Sequence, residues 1–187
     1  MTEYATCPAP GAGPSGVVAA ESFRASMSKL TAGVVLVTAM IDDQPWGVTL
    51  SSVSSFSAEP ARISLSVTRQ SALGRHLTGQ NAVFGVAILP DELAHLAERL
   101  AAPGKPKFIP DSHLSREWVS PAPSISGAIY NLGCRTSHVV RALDHLMVIA
   151  DVLEATAGPE QTSARPLTYF DRSFGSFTPS TTQGDEQ

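Results

Sequence analysis

The 187-residue sequence is poor in cysteine, in clustered charge and in long apolar runs, and each shortage excludes a class of protein. Cys7 and Cys134 are the only cysteines. One falls in a Pro- and Gly-rich start and the other in a strand-like stretch, so no disulfide framework is expected and Cys134 reads as a buried reduced thiol. Thirteen Lys and Arg stand against seventeen Asp and Glu, a formal net charge of −4. Nowhere do the cations gather into a run able to neutralise successive phosphates, which argues against nucleic acid as a partner. No apolar run approaches the roughly 20 residues of a membrane helix, and the start "MTEYATCPAP" carries no cation of the leader type. The expectation is a soluble cytoplasmic protein without a membrane partner.

What the chain does have is 43% hydrophobic residues, enough for the core of one domain. Composition divides it into a flexible N-terminal extension over residues 1–20, a domain over 21–178 and a flexible tail over 179–187. The extension contains Gly11, Gly13 and Gly16 in "GAGPSG", the G-x-G-x-x-G spacing of dinucleotide-binding turns. That motif needs a strand before it and a helix after it. "TCPAP" cannot be such a strand, so the match is set aside.

Phe23, Met27 and Leu30 recur at helical spacing and Gly33 stands where that helix would end. "GVVLVTAMI" and "WGVTL" read as strands joined by turn residues in "DDQP", a hairpin. "ARISLSV" alternates strictly, placing Ile63, Leu65 and Val67 on one face. Ser71 is positioned to cap "SALGRHL". "AVFGVAIL" is another strand, and Leu93, Leu96 and Leu100 line one face of the helical "PDELAHLAERLAA". From Lys105 to Ser126 no period holds and prolines recur, which predicts a long surface excursion. Gly127–Val140 and Asp144–Glu154 read as a long hairpin turning at Arg141 and Ala142, and "RPLTYFDRSFGSF" offers a last aromatic strand. Strands dominate and no βαβ alternation appears. The fold class predicted is mainly β, an antiparallel barrel with short peripheral helices.

Three places can carry chemistry. "GVTLSSVSSFSAEP" interleaves Thr49, Ser51, Ser52, Ser54, Ser55 and Ser57 with aliphatic residues; a strand through Leu50 that opens into a loop would present hydroxyls and backbone N–H groups to a phosphate or to the polar edge of a heterocycle. The competing reading is that these serines satisfy turns and strand ends locally, with Ser54 and Ser57 only closing the turn. Asp144 and His145 stand at a strand start, where an imidazole can face a ligand and titrate near neutrality, or simply hydrogen-bond to its neighbours. Pairing His138 with His145 lacks a third metal ligand at any known spacing, so no metal site is expected. In "KPKF" and "YFDRSF", Lys107 or Arg172 can meet phosphates while Tyr169 or Phe174 stacks on a ring, against the alternative of ordinary surface charge beside core aromatics.

Taken in order, "FRASMSKLTAGVVLVTA", "WGVTLSSVSSFSAEPARISLSV", "KF", "GCRTSHVVRALDHLMVIADV" and "PLTYFDRSFGSF" resemble the flavin reductase family of the FMN-binding split-barrel fold, the reductase partners of two-component flavin-dependent monooxygenases. The resemblance runs from about Phe23 to Phe177. It implies a split barrel, usually homodimeric, in which FMN or FAD is reduced by NADH or NADPH and released to a separate monooxygenase. It further implies that Trp46, Gly47, Val48, Thr49, Ser51 and Ser52 surround the flavin ring and chain with Ser55 nearby, and that Thr68, Ser71 and Lys107 meet phosphate or adenylate. His145 matches the histidine that contacts the nicotinamide, and Arg172 a basic residue near the cofactors. Leu143 stands where the family has glycine before Asp-His, Glu59-Pro60 replaces a proline pair, and Thr68 replaces an asparagine. Rival readings are a non-catalytic flavin-binding module and an electron-transfer protein that keeps its flavin tightly bound.

Overall fold

The computed structural model describes residues 17–118, 122–159 and 161–180. Cys7, the "GAGPSG" glycines and most of the expected extension and tail lie outside the described residues.

Ten strands and three helices are described: α1 Ala20–Met27, β1 Ala32–Gly33, β2 Val35–Ile41, β3 Gln44–Leu50, β4 Val53–Ala58, β5 Ala61–Thr68, α2 Ala72–Leu77, β6 Val83–Ile88, α3 Ala94–Ala101, β7 Tyr130–Ala142, β8 His145–Ala157, β9 Leu167–Phe170 and β10 Ser173–Ser176. Seven strands form one antiparallel sheet in the order β3-β2-β6-β7-β8-β5-β4. Its two edge strands, β3 and β4, are neighbours in sequence, joined only by Ser51 and Ser52. A two-residue link forces the two ends of the sheet together at that point, so the sheet rolls into a barrel. Yet β3 and β4 share no ladder, and the barrel is split between them.

Alternation along the strands explains what fills it. Val35, Val37 and Ala39 of β2, Ile63, Leu65 and Val67 of β5, and Leu146, Val148 and Ala150 of β8 point into the barrel around the fully buried Phe84. Val34, Leu36 and Ala87 point the other way and meet Leu96, Ala97 and Leu100 of α3, Ile109 and Leu167 in a second core. The strand β2 is thus buried on both faces, which is why its sequence is an apolar run interrupted only by Thr38. Cys134 is fully buried, and burial pushes its thiol pKa up to about 12, as expected of an inert structural cysteine.

The hairpin β2–β3 turns at Asp42 and Asp43, both at positive φ (51° and 58°), while Gln44 and Pro45 already belong to β3. Ser71 caps α2, accepting from the Gly74 N–H at 2.9 Å. Four expectations need correction. The first helix stops at Met27, and Phe23, Met27 and Leu30 are 54%, 46% and 62% exposed rather than packed. The long hairpin turns at Leu143 and Asp144, not at Arg141 and Ala142: β7 continues to Ala142, which pairs with His145, and Leu143 takes φ 54°. The Lys105–Ser126 excursion is not confined to the surface, since Ile109, Ala122, Ser124 and Ile125 are buried and Thr38 donates to the Pro123 carbonyl at 2.6 Å. Finally, Ser54 and Ser57 lie within β4 rather than closing a turn, Ser54 bonding to the Ser64 hydroxyl across the ladder at 2.9 Å.

The same excursion partly covers the split. Gly47 N–H donates to the Lys107 carbonyl at 2.8 Å and Ile109 N–H to the Pro45 carbonyl at 2.9 Å, so Lys107–Ile109 runs along the outer edge of β3. Covering an edge in this way removes a template for unwanted strand pairing. A second sheet, β1-β9-β10, packs Leu167 into the core outside the barrel.

Candidate functional site

Where β3 runs out, a cleft of about 620 Å³ opens between three walls. The barrel contributes Val34, Thr49, Leu50 and Ser51, the end of α3 contributes Glu98, Ala101 and Ala102, and the β9–β10 hairpin contributes Tyr169, Arg172 and Phe174. Each wall has a local cause. Val48 and Leu50 pack toward the barrel interior, so alternation turns Gly47 and Thr49 outward toward α3. Gly47 is a close approach: a Cβ there would lie 3.0 Å from Ile109 Cγ1 and 3.2 Å from Leu100 Cδ1. Thr49 Oγ1 donates to the Ala97 carbonyl at 2.7 Å, which commits its proton and leaves its lone pairs as acceptors. The helix ends at Ala101 because Pro103 follows, and its last small residues leave the cleft floor open.

The hairpin turn supplies the cation. Asp171 and Arg172 both have positive φ, 49° and 65°, as a tight two-residue turn requires. Asp171 is held down by Lys29, whose Nζ lies 2.6 Å from Oδ2, and that hydrogen bond keeps the Asp171 carboxyl below its ordinary pKa. Arg172 is exposed and, among the described residues, has no carboxylate at ion-pair distance. Tyr169 and Phe174 meet edge to face with centroids 5.3 Å apart, giving the cleft an aromatic side.

Of the residues singled out from sequence, Thr49, Ser51, Tyr169, Arg172 and Phe174 line this cleft. Lys107 stands behind it: its ammonium donates to the Ala102 carbonyl at the end of α3, and burial, then Lys105, lowers its pKa. Trp46 meets Phe108 edge to face at 5.1 Å, Gly47 sits under Ile109, and Val48 faces the barrel core, so these three lie beside the cleft rather than in it. Ser55 pairs with Ile63 on β4, away from it.

A second group gathers on the rim beyond the Ser51–Ser52 link. Ser52 Oγ donates to the Ser66 carbonyl at 2.7 Å, Thr68 pairs with His145 in the β5–β8 ladder, and Ser71 Oγ donates to the Thr68 carbonyl at 2.7 Å. His145 Nδ1 lies 2.9 Å from Asp144 Oδ1. A carboxylate accepts, so Nδ1 carries the proton and Nε2 is the ring nitrogen left for another partner. That hydrogen bond, first among its causes, lowers the pKa of Asp144. Ser52 and Ser71 use their hydroxyl protons on backbone, as the local reading of the serine-rich stretch supposed. The end of α3, with Glu98 and the two alanines, was missed from the sequence. Its only trace was the small pair Ala101–Ala102 before Pro103.

The fold and the cleft define a class: a mainly β, antiparallel split barrel whose gap opens on a pocket with free hydroxyl and guanidinium donors. Residues 27–178 match the flavin reductase like domain, and the chain belongs to that family. The reductase component of a 4-nitrophenol 4-monooxygenase/4-nitrocatechol 2-monooxygenase from Rhodococcus opacus is 32% identical over 84% of this chain and 80% of its own length. An NADH:riboflavin 5'-phosphate oxidoreductase from Streptomyces pristinaespiralis is 30% identical, covering 88% and 92%. Among solved structures, the NADH:FAD oxidoreductase of Streptomyces globisporus C-1027, crystallised with NAD and FAD fragments, superposes with a TM-score of 0.73 at 25% identity, over 86% of this chain and 94% of that one.

Proposed function

We propose that this protein is an NAD(P)H:flavin oxidoreductase that reduces FMN or FAD and releases the reduced flavin to a separate monooxygenase. The observation that carries the reading is the cleft at the barrel split, in a chain of this family. Its volume falls in the range of small-molecule sites, its walls offer Tyr169 and Phe174 to a planar ring, and Ser51 and Arg172 are free to bind polar and anionic groups. Those features fit a flavin. When bound, the flavin supplies the hydride acceptor and the nicotinamide the donor.

The chain's own residues act by position. Thr49, its proton held by Ala97, accepts from a donor on the ring edge, and Ser51, lining the same cleft, donates to a neighbouring polar group. Arg172 reaches a phosphate by charge-assisted hydrogen bonds. Ser52, Thr68 and Ser71 form the rim along which a longer dinucleotide tail would lie. His145, oriented by Asp144, offers Nε2 to the nicotinamide and remains exposed enough for it to come and go. Ser51 and Arg172 are also exposed, which favours an exchanging flavin over a permanently bound one.

The test is to mix the protein with NADH or NADPH and FMN, FAD or riboflavin and follow nicotinamide absorbance. Catalytic oxidation with loss of the flavin on desalting is the expected result. Flavin binding without oxidation above the uncatalysed rate would leave only a binding module, and yellow colour that survives desalting would mark an electron-transfer protein.

We further infer a homodimer. Phe23, Met27 and Leu30 on one side and Phe56 and Met147 on the outer face of the barrel are all exposed, more apolar surface than a lone domain needs to present. Light scattering on the purified protein decides it. No helix among the described residues is long and apolar enough to cross a membrane, and the site of action we propose is the cytoplasm, where nicotinamide nucleotides circulate.

A further inference from the structure

The excursion and α3 touch at a point that flavin reduction does not use. His95 of α3 and His113, in a 3-10 turn over Asp111–His113, bring their Nε2 atoms to 3.1 Å. The ring centroids are 5.3 Å apart and the planes are tilted by 54°. Ser112 Oγ lies 3.2 Å from His113 Nδ1. With Nδ1–H donating to that hydroxyl, the Nε2 lone pair of His113 is directed at His95. An outer hydrogen bond of this kind is what fixes the tautomer of metal-binding histidines.

The separation is the informative quantity. For metal–nitrogen bonds of about 2.0–2.1 Å, two ligand nitrogens stand about 2.9 Å apart at adjacent corners of a square and about 3.3 Å apart at two corners of a tetrahedron. The observed 3.1 Å, at which the two rings hydrogen-bond to each other, falls between these values, so a cation would replace the shared proton with little movement of either ring. His95 is exposed and His113 half-buried, so solvent can complete the coordination shell. Imidazole is a ligand for zinc, nickel and copper rather than for calcium or magnesium.

We propose that His95 and His113 form a two-histidine site for a divalent d-block cation, clamping the excursion to α3. Among the described residues no group of three or more His, Cys, Asp or Glu could hold a metal. The site is therefore bidentate and its cation exchangeable. Arg99 lies close enough to act on His113 electrostatically and opposes the bound charge. The clamp acts on the cleft indirectly, because α3 carries Ala101 and Ala102 into its wall while the excursion carries Lys107 against them.

The test is calorimetric titration of the tag-free full chain with Zn2+, Ni2+ and Cu2+ at pH 7.5, with circular dichroism to verify folding. One saturable equivalent is expected, tightest for Cu2+. Affinity should fall at least tenfold in His95→Ala and in His113→Ala and stay unchanged in His138→Ala. Zn2+ should raise the melting temperature of the parent chain and not of the two variants. Either variant binding as the parent does, or absence of saturable uptake, overturns the proposal.

Discussion

The two flanks of the barrel are built by opposite rules. From β6 through β7 and β8 to β5 the ladder is continuous, with β7 and β8 paired from Tyr130↔Ala157 to Ala142↔His145. On the other flank β3 and β4 share only the Ser51–Ser52 link. On the sealed flank backbone groups bond to each other and side chains fill the core. On the split flank, hydroxyls, a guanidinium and a helix end are left facing solvent. The lesson is that stability and ligand chemistry occupy different seams of one sheet, so substitutions should separate them.

The largest effect should come from the sealed side. Phe84→Ala empties a fully buried ring site inside the barrel and is expected to cost about 3–5 kcal/mol in urea unfolding, while the fraction that remains folded keeps its activity. Arg172→Gln tests the split side. Loss of a charge-assisted contact should raise the KM for FMN by about tenfold, near 1.4 kcal/mol, leave unfolding unchanged, and leave the KM for riboflavin, which lacks phosphate, unmoved. An equal rise for riboflavin would place Arg172 on the ring instead.

His145→Ala should lower kcat/KM for the nicotinamide several-fold and leave the flavin dissociation constant as it is. The same variant has a pH signature. Asp144 has its folded pKa lowered by the His145 hydrogen bond, so its contribution to stability is present above its ordinary value of 3.8 and disappears as pH falls through the lower folded value. Any stability difference between parent and variant should therefore shrink through that acid window. A gap that persists at the lowest pH would show that His145 acts through packing. The smallest effect is a gain: Leu143 holds φ 54° with its side chain 69% exposed, and Leu143→Gly should relieve about 0.5–1 kcal/mol of backbone strain, read as a higher urea midpoint.

Local rules made the sealed flank legible. Strict alternation in "ARISLSV", the apolar run before the Asp42–Asp43 turn and the Ser71 cap each state their structure within a few residues. The hairpin turn was misplaced because a leucine occupies a position whose φ favours glycine, so the punctuation was missing. The excursion hid its buried half because Ile109 and Ile125 have no period of their own; Ile109 is held by Pro45 of the distant β3 and Ile125 by the Asn131 side chain at the start of β7. The cleft was half legible. Thr49 and Ser51 stood out in the hydroxyl-rich stretch and Arg172, Tyr169 and Phe174 in the basic and aromatic "YFDRSF", but the α3 wall and the contact of His95 with His113 arise only from tertiary approach.

The pairing of β1 with β9, Ala32 against Tyr169, has a consequence for how the protein is made. Among the described residues the earliest and latest strands meet in one small sheet, and the cleft's aromatic wall and its arginine belong to the late β9–β10 hairpin. Most of the barrel can assemble while synthesis continues, whereas the pocket is completed only when that hairpin emerges. A nascent or prematurely terminated chain ending before Leu167 would carry a nearly finished scaffold and no competent site, so unfinished copies would not draw on the cell's flavin.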